Sequence, residues 1–377
     1  MRVFVVILFV ALASGTPVFR AREPIPNSYI VKLNDGVDLE KTISTVKRAG
    51  GNIGIVFRRA IKGFQAKLSD KALELVGKLP GVEYIEENGE VRSQSAGSWG
   101  LDRIDAHSTL YGPVLDNNYS PFLTGAGVDV YVIDSGILDT HEDFGDRATQ
   151  GFCASDLFDF LGGGNVDCYG HGTHCAGTVG SKTYGVATGV NLIGVKVIGC
   201  LGSGSIAGAI EGVNWVIEQA TRLKALRRPS IAAMPLAMFY SRALNDAVDA
   251  MVDAGIETAV AAGNDQVDAC DYSPGSSTKV ITVGSTYDDT DVRMVTSNYG
   301  KCVNIFAPGA FTKSTWIGSS NKATETLSGT SMACAHVAGA LALYLTEEEL
   351  MHQSTASVVG DAGLGSPNRF LYVHKKR

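Results

Sequence analysis

A chain of 377 residues is long enough for two or three domains, and 45% hydrophobic residues with 44 glycines indicate a packed, turn-rich globule and exclude a disordered chain. The net charge of −7 and the absence of a long basic run argue against nucleic acid as a partner. After the first fifteen residues no stretch approaches the roughly 20 apolar residues of a membrane span, so we expect no membrane-spanning helix.

The first residues have the pattern of a secretory signal peptide. Arg2 precedes the apolar run Val3–Ala13, which has the length of a signal-peptide hydrophobic region and is too short to span a membrane. Small residues follow, so cleavage is expected near positions 13 to 16. We therefore predict that residues 1–15 are a signal peptide and that the protein is secreted and extracellular. We also expect it to be a monomer.

The next segment predicts a small α+β domain. Short apolar strands alternate with amphipathic helical patterns in the order βαββαβ, which gives a two-layer domain. Regular patterns then stop at the polar segment 91–98, which is the expected junction to a second domain. The predicted strands are 29–33, 52–57, 63–68 and 82–86, and the predicted helices are 38–49 and 69–79.

The rest of the chain alternates apolar strands with helical patterns, which predicts an α/β domain with a parallel sheet and helices on both faces. The segment Ser366–Val373 is the expected last strand. The predicted strands are 128–133, 192–198, 231–236 and 256–261, and the predicted helices are 171–182, 205–219, 242–254 and 331–345.

Three residues at the ends of these elements can carry hydrolytic chemistry. Asp134 ends an apolar strand, His171 opens a helix of small residues, and Ser331 lies in the first turn of an apolar helix. Alone, Asp134 could cap a turn and Ser331 could cap a helix. Together they supply a nucleophile, a base and a group that orients the base, as peptide hydrolysis requires.

The motifs around these residues are Val-Ile-Asp134-Ser-Gly-Ile, His171-Gly-Thr-His-Cys-Ala-Gly and Ser-Gly-Thr-Ser331-Met-Ala. In this order along the chain they resemble the subtilisin-like serine peptidases, specifically the proteinase K and aqualysin subgroup. The resemblance covers nearly the whole chain after the first 25 residues. It implies a secreted serine endopeptidase that is made as a self-cleaving zymogen and hydrolyses peptide bonds through an Asp-His-Ser triad.

The resemblance also implies the domain organisation. Residues 16–91 are expected to be a ferredoxin-like inhibitory propeptide, and residues 92–377 a subtilisin-like catalytic domain. Self-cleavage is expected between Val91 and Arg92, with Gln94–Ser95 as the second candidate. The implied partners are a protein or peptide substrate and the chain's own propeptide as inhibitor.

Further site residues follow from the same resemblance. Asn264 matches the asparagine of the oxyanion hole, although a Gly-Asn pair is also common in plain turns. Bridges are implied between Cys168 and Cys200 and between Cys270 and Cys302. The residues expected to bind substrate, on two edge segments and a pocket wall, are Gly202, Ser203, Gly204, Pro235, Leu236, Ala237, Met238, Ala261, Ala262 and Gly263.

Other histidines and cysteines near these motifs are expected to be structural. His174 and His336 are predicted to be core or surface residues, and Cys175 and Cys334 to be buried thiols. No cofactor is needed for the chemistry. A structural calcium ion is left open, because Asn304 stands where family members often have an aspartate and an amide weakens a hard-cation site.

The sequence departs from the family at one substrate edge. Pro235-Leu-Ala-Met-Phe239 stands where active members have Ser-Leu-Gly-Gly-Gly, and Cys334-Ala335 replaces Thr-Pro. These features partly resemble the self-inhibited convertase that regulates lipoprotein receptors. The alternative function is therefore a self-processed, propeptide-bound protein with little activity in trans that acts by protein–protein binding. If Met238 points into the specificity pocket, that pocket should accept only small side chains.

Overall fold

The computed structural model forms two compact units, which divide between Ser93 and Gln94. The predicted signal peptide, residues 1–15, and the predicted cleavage point at Val91 and Arg92 lie outside the described residues. The structure describes residues 16–19, 24–57, 62–89, 98–106, 108–109, 112–113, 115–154, 164–224, 228–287 and 290–375.

The first unit is a small α+β domain with the predicted βαββαβ order and one additional short strand at its start. Strand β2 lies between β4 and β5 and is antiparallel to both, in a sheet of order β1-β5-β2-β4-β3. Asp38 and Ser69 cap the two helices by accepting from backbone N–H groups. The elements are β1 Val18–Phe19, β2 Pro24–Leu33, α1 Leu39–Arg48, β3 Asn52–Phe57, β4 Gly63–Lys67, α2 Asp70–Gly77 and β5 Val82–Gly89.

The second unit is built on a nine-stranded sheet of order β13-β14-β12-β11-β10-β9-β6-β8-β7. All pairs are parallel except β13 with β14. The predicted parallel sheet is thus confirmed, with an antiparallel edge. The strands are β6 Asp129–Asp134, β7 Ala148–Cys153, β8 Asn191–Lys196, β9 Ser230–Met234, β10 Glu257–Ala261, β11 Ile281–Thr286, β12 Ile305–Pro308, β13 Thr355–Ala356 and β14 Arg369–Phe370.

Helices and small two-stranded sheets surround this sheet. The α-helices are α3 Trp99–Ile104, α4 His171–Gly180, α5 Ile206–Lys224, α6 Arg242–Asp253, α7 Thr330–Tyr344 and α8 Glu347–Gln353, and the 3-10 helices are Glu142–Phe144 and Ala269–Asp271. The strand pairs are Ser108–Thr109 with Gly112–Pro113, Met238–Phe239 with Tyr272–Ser273, and Thr312–Thr315 with Thr324–Leu327. Within the described ranges, no helix has both the length and the apolar character needed to cross a bilayer.

Each face of the sheet has its own hydrophobic core. Alternate residues of β6 enter opposite cores, Val130 and Val132 on the face of α4 and α7, and Tyr131 and Ile133 on the face of α5 and α6. Helix α7 is buried from Thr330 to Leu343, so it runs through the interior rather than over the surface.

Candidate active site

Asp134 and His171 form a hydrogen-bonded pair where β6 ends and α4 begins. Asp134 is fully buried, and His171 Nδ1 lies 2.8 and 2.9 Å from its two carboxylate oxygens. The Ser135 N–H also donates to this carboxylate, at 2.6 Å. Because a carboxylate can only accept, Nδ1 must carry the proton of the ring. The neutral imidazole therefore has its lone pair on Nε2, which is the atom that a general base uses.

The environment of His171 favours its protonated form. Burial lowers the pKa of the ring, but the Asp134 carboxylate and the Cys175 thiol raise it, and the pKa of His171 is well above its usual value of 6.5. The free base therefore requires a higher pH than it does for an ordinary histidine.

A carboxylate that sequence reasoning missed, Asp167, holds the start of α4 in place. It is buried, and its Oδ1 accepts from Ser135 Oγ at 2.9 Å and from the N–H groups of Tyr169 and Gly170 at 3.0 and 2.8 Å. Its Oδ2 accepts from the Thr173 N–H at 2.9 Å and from Thr173 Oγ1 at 2.6 Å. The available signal was an aspartate ahead of a helix start, where a negative charge satisfies the free N–H groups.

Ser331 lies in the first turn of α7, which packs in the same core as α4. Its hydroxyl donates to the Pro235 carbonyl at 2.7 Å. Among the contacts of the described residues, no hydrogen bond joins Ser331 Oγ to His171. A rotation of the Ser331 side chain is therefore needed before the hydroxyl can give its proton to the imidazole, as is common without substrate.

Asn264 is fixed against the start of the same helix. Its Oδ1 accepts from the Thr330 N–H at 2.9 Å, so the NH₂ group is the end of this amide that can donate. The preceding Gly263 donates its N–H to Thr330 Oγ1 at 3.2 Å and has φ +102°, a value that favours glycine. Thr330 thus joins the end of β10 to the beginning of α7, next to Ser331.

Comparison with known proteins identifies the family of this chain. Residues 125–359 match the model of the subtilase family, and residues 28–94 match that of peptidase inhibitor I9. The chain belongs to the subtilase family. It is 40% identical to an extracellular serine proteinase of Thermus sp. (strain Rt41A), with 93% of this chain and 90% of that protein covered. It is 43% identical to alkaline serine protease ver112 of Corniculantispora psalliotae, with 86% and 82% covered.

A solved structure supports the same assignment. The crystal structure of a cold adapted subtilisin-like serine proteinase is 40% identical and superposes with a TM-score of 0.65, covering 75% of this chain and all of that one. The protein is thus a subtilase serine endopeptidase with an I9 propeptide domain, and subtilase chemistry needs no cofactor.

Of the two predicted substrate edges, one contacts Ser331 directly, and the other is linked by a disulfide to the segment that precedes His171. Pro235 follows β9 and contacts Ser331 through its carbonyl. The Gly202–Gly204 segment follows Cys200, which is bridged to Cys168, three residues before His171. The second bridge joins Cys270 to Cys302, so both pairings are those expected from the resemblance.

The remaining substrate residues divide into a wall and a strand. Ala261, Ala262 and Gly263 are buried at the end of β10. Leu236 and Ala237 are half-buried, and Met238 is half-buried against the core of α5 and α6. This contact engages the Met238 side chain with the core, which counts against its filling a specificity pocket.

His174 and His336, which were predicted to be structural, are buried core residues. His174 Nε2 lies 3.1 Å from the Thr312 carbonyl, and His336 Nδ1 lies 2.9 Å from that of Met332. Burial lowers the pKa of each to about 4.

The thiols near the site are also buried. Burial raises the pKa of Cys175 and of Cys334, so both stay protonated, and a protonated thiol is a poor nucleophile. Cys175 Sγ lies 3.9 Å from His171 Nδ1. Within the described part of the chain, the group with metal-ligand spacing is Asp134, His171 and Cys175, which includes the hydrogen-bonded Asp134–His171 pair.

The position considered for calcium carries an amide side chain that is engaged in a hydrogen bond. Asn304 is half-buried, and its side-chain oxygen accepts from the Thr282 N–H at 2.8 Å, where it links the strands β11 and β12. An uncharged amide is a weaker ligand for a hard cation than the carboxylate that the family often has at this position.

Proposed function

We propose that the protein hydrolyses peptide bonds by a nucleophilic mechanism in which Ser331 attacks, His171 Nε2 accepts its proton and Asp134 orients the ring. The observation that carries this proposal is the contact of His171 Nδ1 with both oxygens of the fully buried Asp134 carboxylate. This contact fixes the tautomer, and the negative charge stabilises the imidazolium that forms when the serine proton is taken.

Two donors are available for the oxyanion that forms on the substrate carbonyl. The Asn264 amide is oriented by the Thr330 N–H, so its NH₂ group is the free end. The Ser331 N–H lies in the first helical turn, where N–H groups have no carbonyl acceptor within the helix. Such donors act in the transition state, when the negative charge develops, and each contributes about 3–4 kcal/mol.

The substrate is proposed to bind as an extended strand between Gly202–Gly204 and Pro235–Met238. Strand addition uses backbone hydrogen bonds for affinity and leaves side chains to fill pockets. The Pro235 carbonyl, which accepts from Ser331 in the free protein, becomes available to a substrate N–H when the hydroxyl turns to His171.

The same site is proposed to mature the protein by cutting its own precursor between Val91 and Arg92. The mature protein is proposed to be secreted, since the relative from Thermus is extracellular and the chain starts with a signal-peptide pattern. It is also proposed to be a monomer. An intramolecular cut benefits from the high effective concentration of one part of the chain at another. The released I9 domain is then the natural inhibitor of the enzyme.

The maturation proposal is tested with Ser331→Ala, expressed alone in cells that lack related proteases. This variant should accumulate as the uncut precursor. The matched control is Ser328→Ala, which removes another serine of the same segment. The Ser328 hydroxyl accepts from the Phe311 N–H, and this variant should still mature. Normal maturation of Ser331→Ala would refute self-cleavage at this site.

One observation favours a second function, that of a self-processed binding protein with little activity in trans. Ser331, the proposed nucleophile, donates its hydroxyl to the Pro235 carbonyl rather than to His171. Pro235 stands at a position where the family usually has serine. Size-exclusion chromatography of the secreted product followed by a casein assay separates the two functions. A stable propeptide complex without casein hydrolysis supports the binding protein, and casein hydrolysis by the free catalytic domain supports the peptidase.

A further inference from the structure

Two exposed aromatic residues continue the substrate edge beyond Met238. Phe239 is 79% exposed and Tyr240 is 59% exposed, although both belong to or adjoin a β-pair. Phe239 lies directly opposite Tyr272 in the antiparallel pair, and the two ring centroids are 5.3 Å apart. Exposed apolar surface next to a proposed substrate edge indicates contact with a ligand.

The backbone of this segment presents alternate residues to opposite edges. The Tyr240 N–H donates to the Asp271 carbonyl. In an antiparallel pair every second residue makes the hydrogen bonds to the partner strand, so Tyr240 and Met238 make those to the strand of Tyr272. The N–H and C=O groups of Ala237 and Phe239 therefore point to the other edge. The Pro235 carbonyl points to that edge as well, since it accepts from Ser331.

The position of Ser331 sets the register of a peptide along this edge. The substrate carbonyl that Ser331 attacks must lie next to the Ser331 hydroxyl, which is itself in contact with the Pro235 carbonyl. The substrate residue before the scissile bond therefore lies opposite Pro235. From Pro235 to Phe239 the chain runs away from Ser331, whereas the N-terminal part of the substrate runs towards Ser331. The two strands are therefore antiparallel. The third residue before the bond then lies opposite Ala237 and the fifth opposite Phe239, about 13 Å from Ser331 at the usual rise of a strand.

We propose that Phe239 and Tyr272 form a subsite for an apolar or aromatic side chain at the fifth position on the N-terminal side of the scissile bond. Directly opposed residues of an antiparallel pair point to the same face, so this side chain joins the row made by Tyr272 and Phe239. Met238 points to the opposite face and into the core. The inference rests on the proposed peptidase function and adds a specificity determinant to it.

The test uses fluorogenic pentapeptides that share four alanines before the leaving group and differ only in their first residue, phenylalanine, glycine or aspartate. The mature wild-type protein should show a kcat/KM for the phenylalanine peptide roughly three- to tenfold above that for the glycine peptide, as an aromatic contact implies. Phe239→Ser should reduce this ratio to near one, and Phe239→Leu should keep most of it. Phe122→Ala, which removes another exposed aromatic far along the chain, should keep the wild-type ratio.

The outcomes separate the subsite from the peptidase function on which it rests. Equal hydrolysis of the three peptides by the wild type, or a ratio that persists in Phe239→Ser, would overturn the subsite while leaving the peptidase function in place. No hydrolysis of any peptide would refute the peptidase function and the subsite with it. In that case the exposed aromatics would belong to the surface of a binding protein.

Discussion

Replacement of Asp167 by asparagine tests how the start of α4, and hence His171, is held. The carboxylate accepts five hydrogen bonds, three at Oδ1 and two at Oδ2. Asp167→Asn keeps the shape of the side chain but turns one oxygen into a donor. Whichever oxygen is replaced, at least one backbone N–H of Tyr169, Gly170 or Thr173 then faces a donor, because only the hydroxyl partners can rotate to accept.

The magnitude follows from these contacts. A buried hydrogen bond to a charged group contributes about 1.5–3 kcal/mol. Removing the negative charge from the N-terminus of α4 adds roughly 0.5–2 kcal/mol in a buried setting. Asp167→Asn should therefore lower the free energy of unfolding by about 2–5 kcal/mol.

The assay is urea unfolding of the variant in a Ser331→Ala background, which prevents self-digestion. The three tryptophans, Trp99, Trp215 and Trp316, all lie in the second unit, so their fluorescence reports the unfolding of that unit alone. Asp246→Asn is the matched control, since Asp246 is 67% exposed and its ion pair contributes under about 1 kcal/mol. A loss for Asp167→Asn no larger than that of the control would refute the reasoning.

Three further predictions concern rate and pH. Asn264→Leu should lower kcat by about 10²–10³ with little change in KM. A rise in KM as large as the fall in kcat would mean that Asn264 is structural. The pKa of His171 is raised and its neutral form is the base, so kcat/KM should rise with pH through a midpoint above 6.5. Asp134→Asn should lower that midpoint, because it removes the carboxylate that raises the pKa of His171. An unchanged midpoint would contradict the pairing of Asp134 with His171. The pKa values of His174 and His336, lowered to about 4, mean that the unfolded chain takes up protons first as the pH falls. The stability of the covalently inhibited enzyme should therefore fall between pH 6.5 and 4 by roughly 3 kcal/mol for each ring, and a flat urea midpoint over that range would argue against neutral buried rings.

The sequence pattern was sufficient to predict the strand and the two helices that carry Asp134, His171 and Ser331. The apolar strand before Asp134 and the helices that begin at His171 and Thr330 have patterns that their own residues determine. Strand β7 was not predicted, because Thr149 and Gln150 interrupt its apolar pattern at an edge of the sheet. Edge strands need less apolar sequence than central ones, since one of their sides has no neighbour.

Contacts between distant residues could not be derived from the sequence. The hydrogen bond from Ser331 to Pro235 joins segments 96 residues apart, and the placement of Met238 against the core depends on α5 and α6. The sequence predicted crowding near the substrate edge but not which side chain points outward. That distinction depends on the pairing of Phe239 with Tyr272, which fixes the face of each residue.

The central claim is that Ser331 is a nucleophile activated by His171. Its most direct measurement is the site and rate of covalent labelling by a fluorophosphonate probe, with the labelled peptide mapped by mass spectrometry. The account predicts one adduct on Ser331, a labelling rate that rises with pH through the same midpoint as kcat/KM, and a large loss of rate in His171→Ala. Labelling of Cys175 in place of Ser331, or a labelling rate at Ser331 that His171→Ala leaves unchanged, would contradict it.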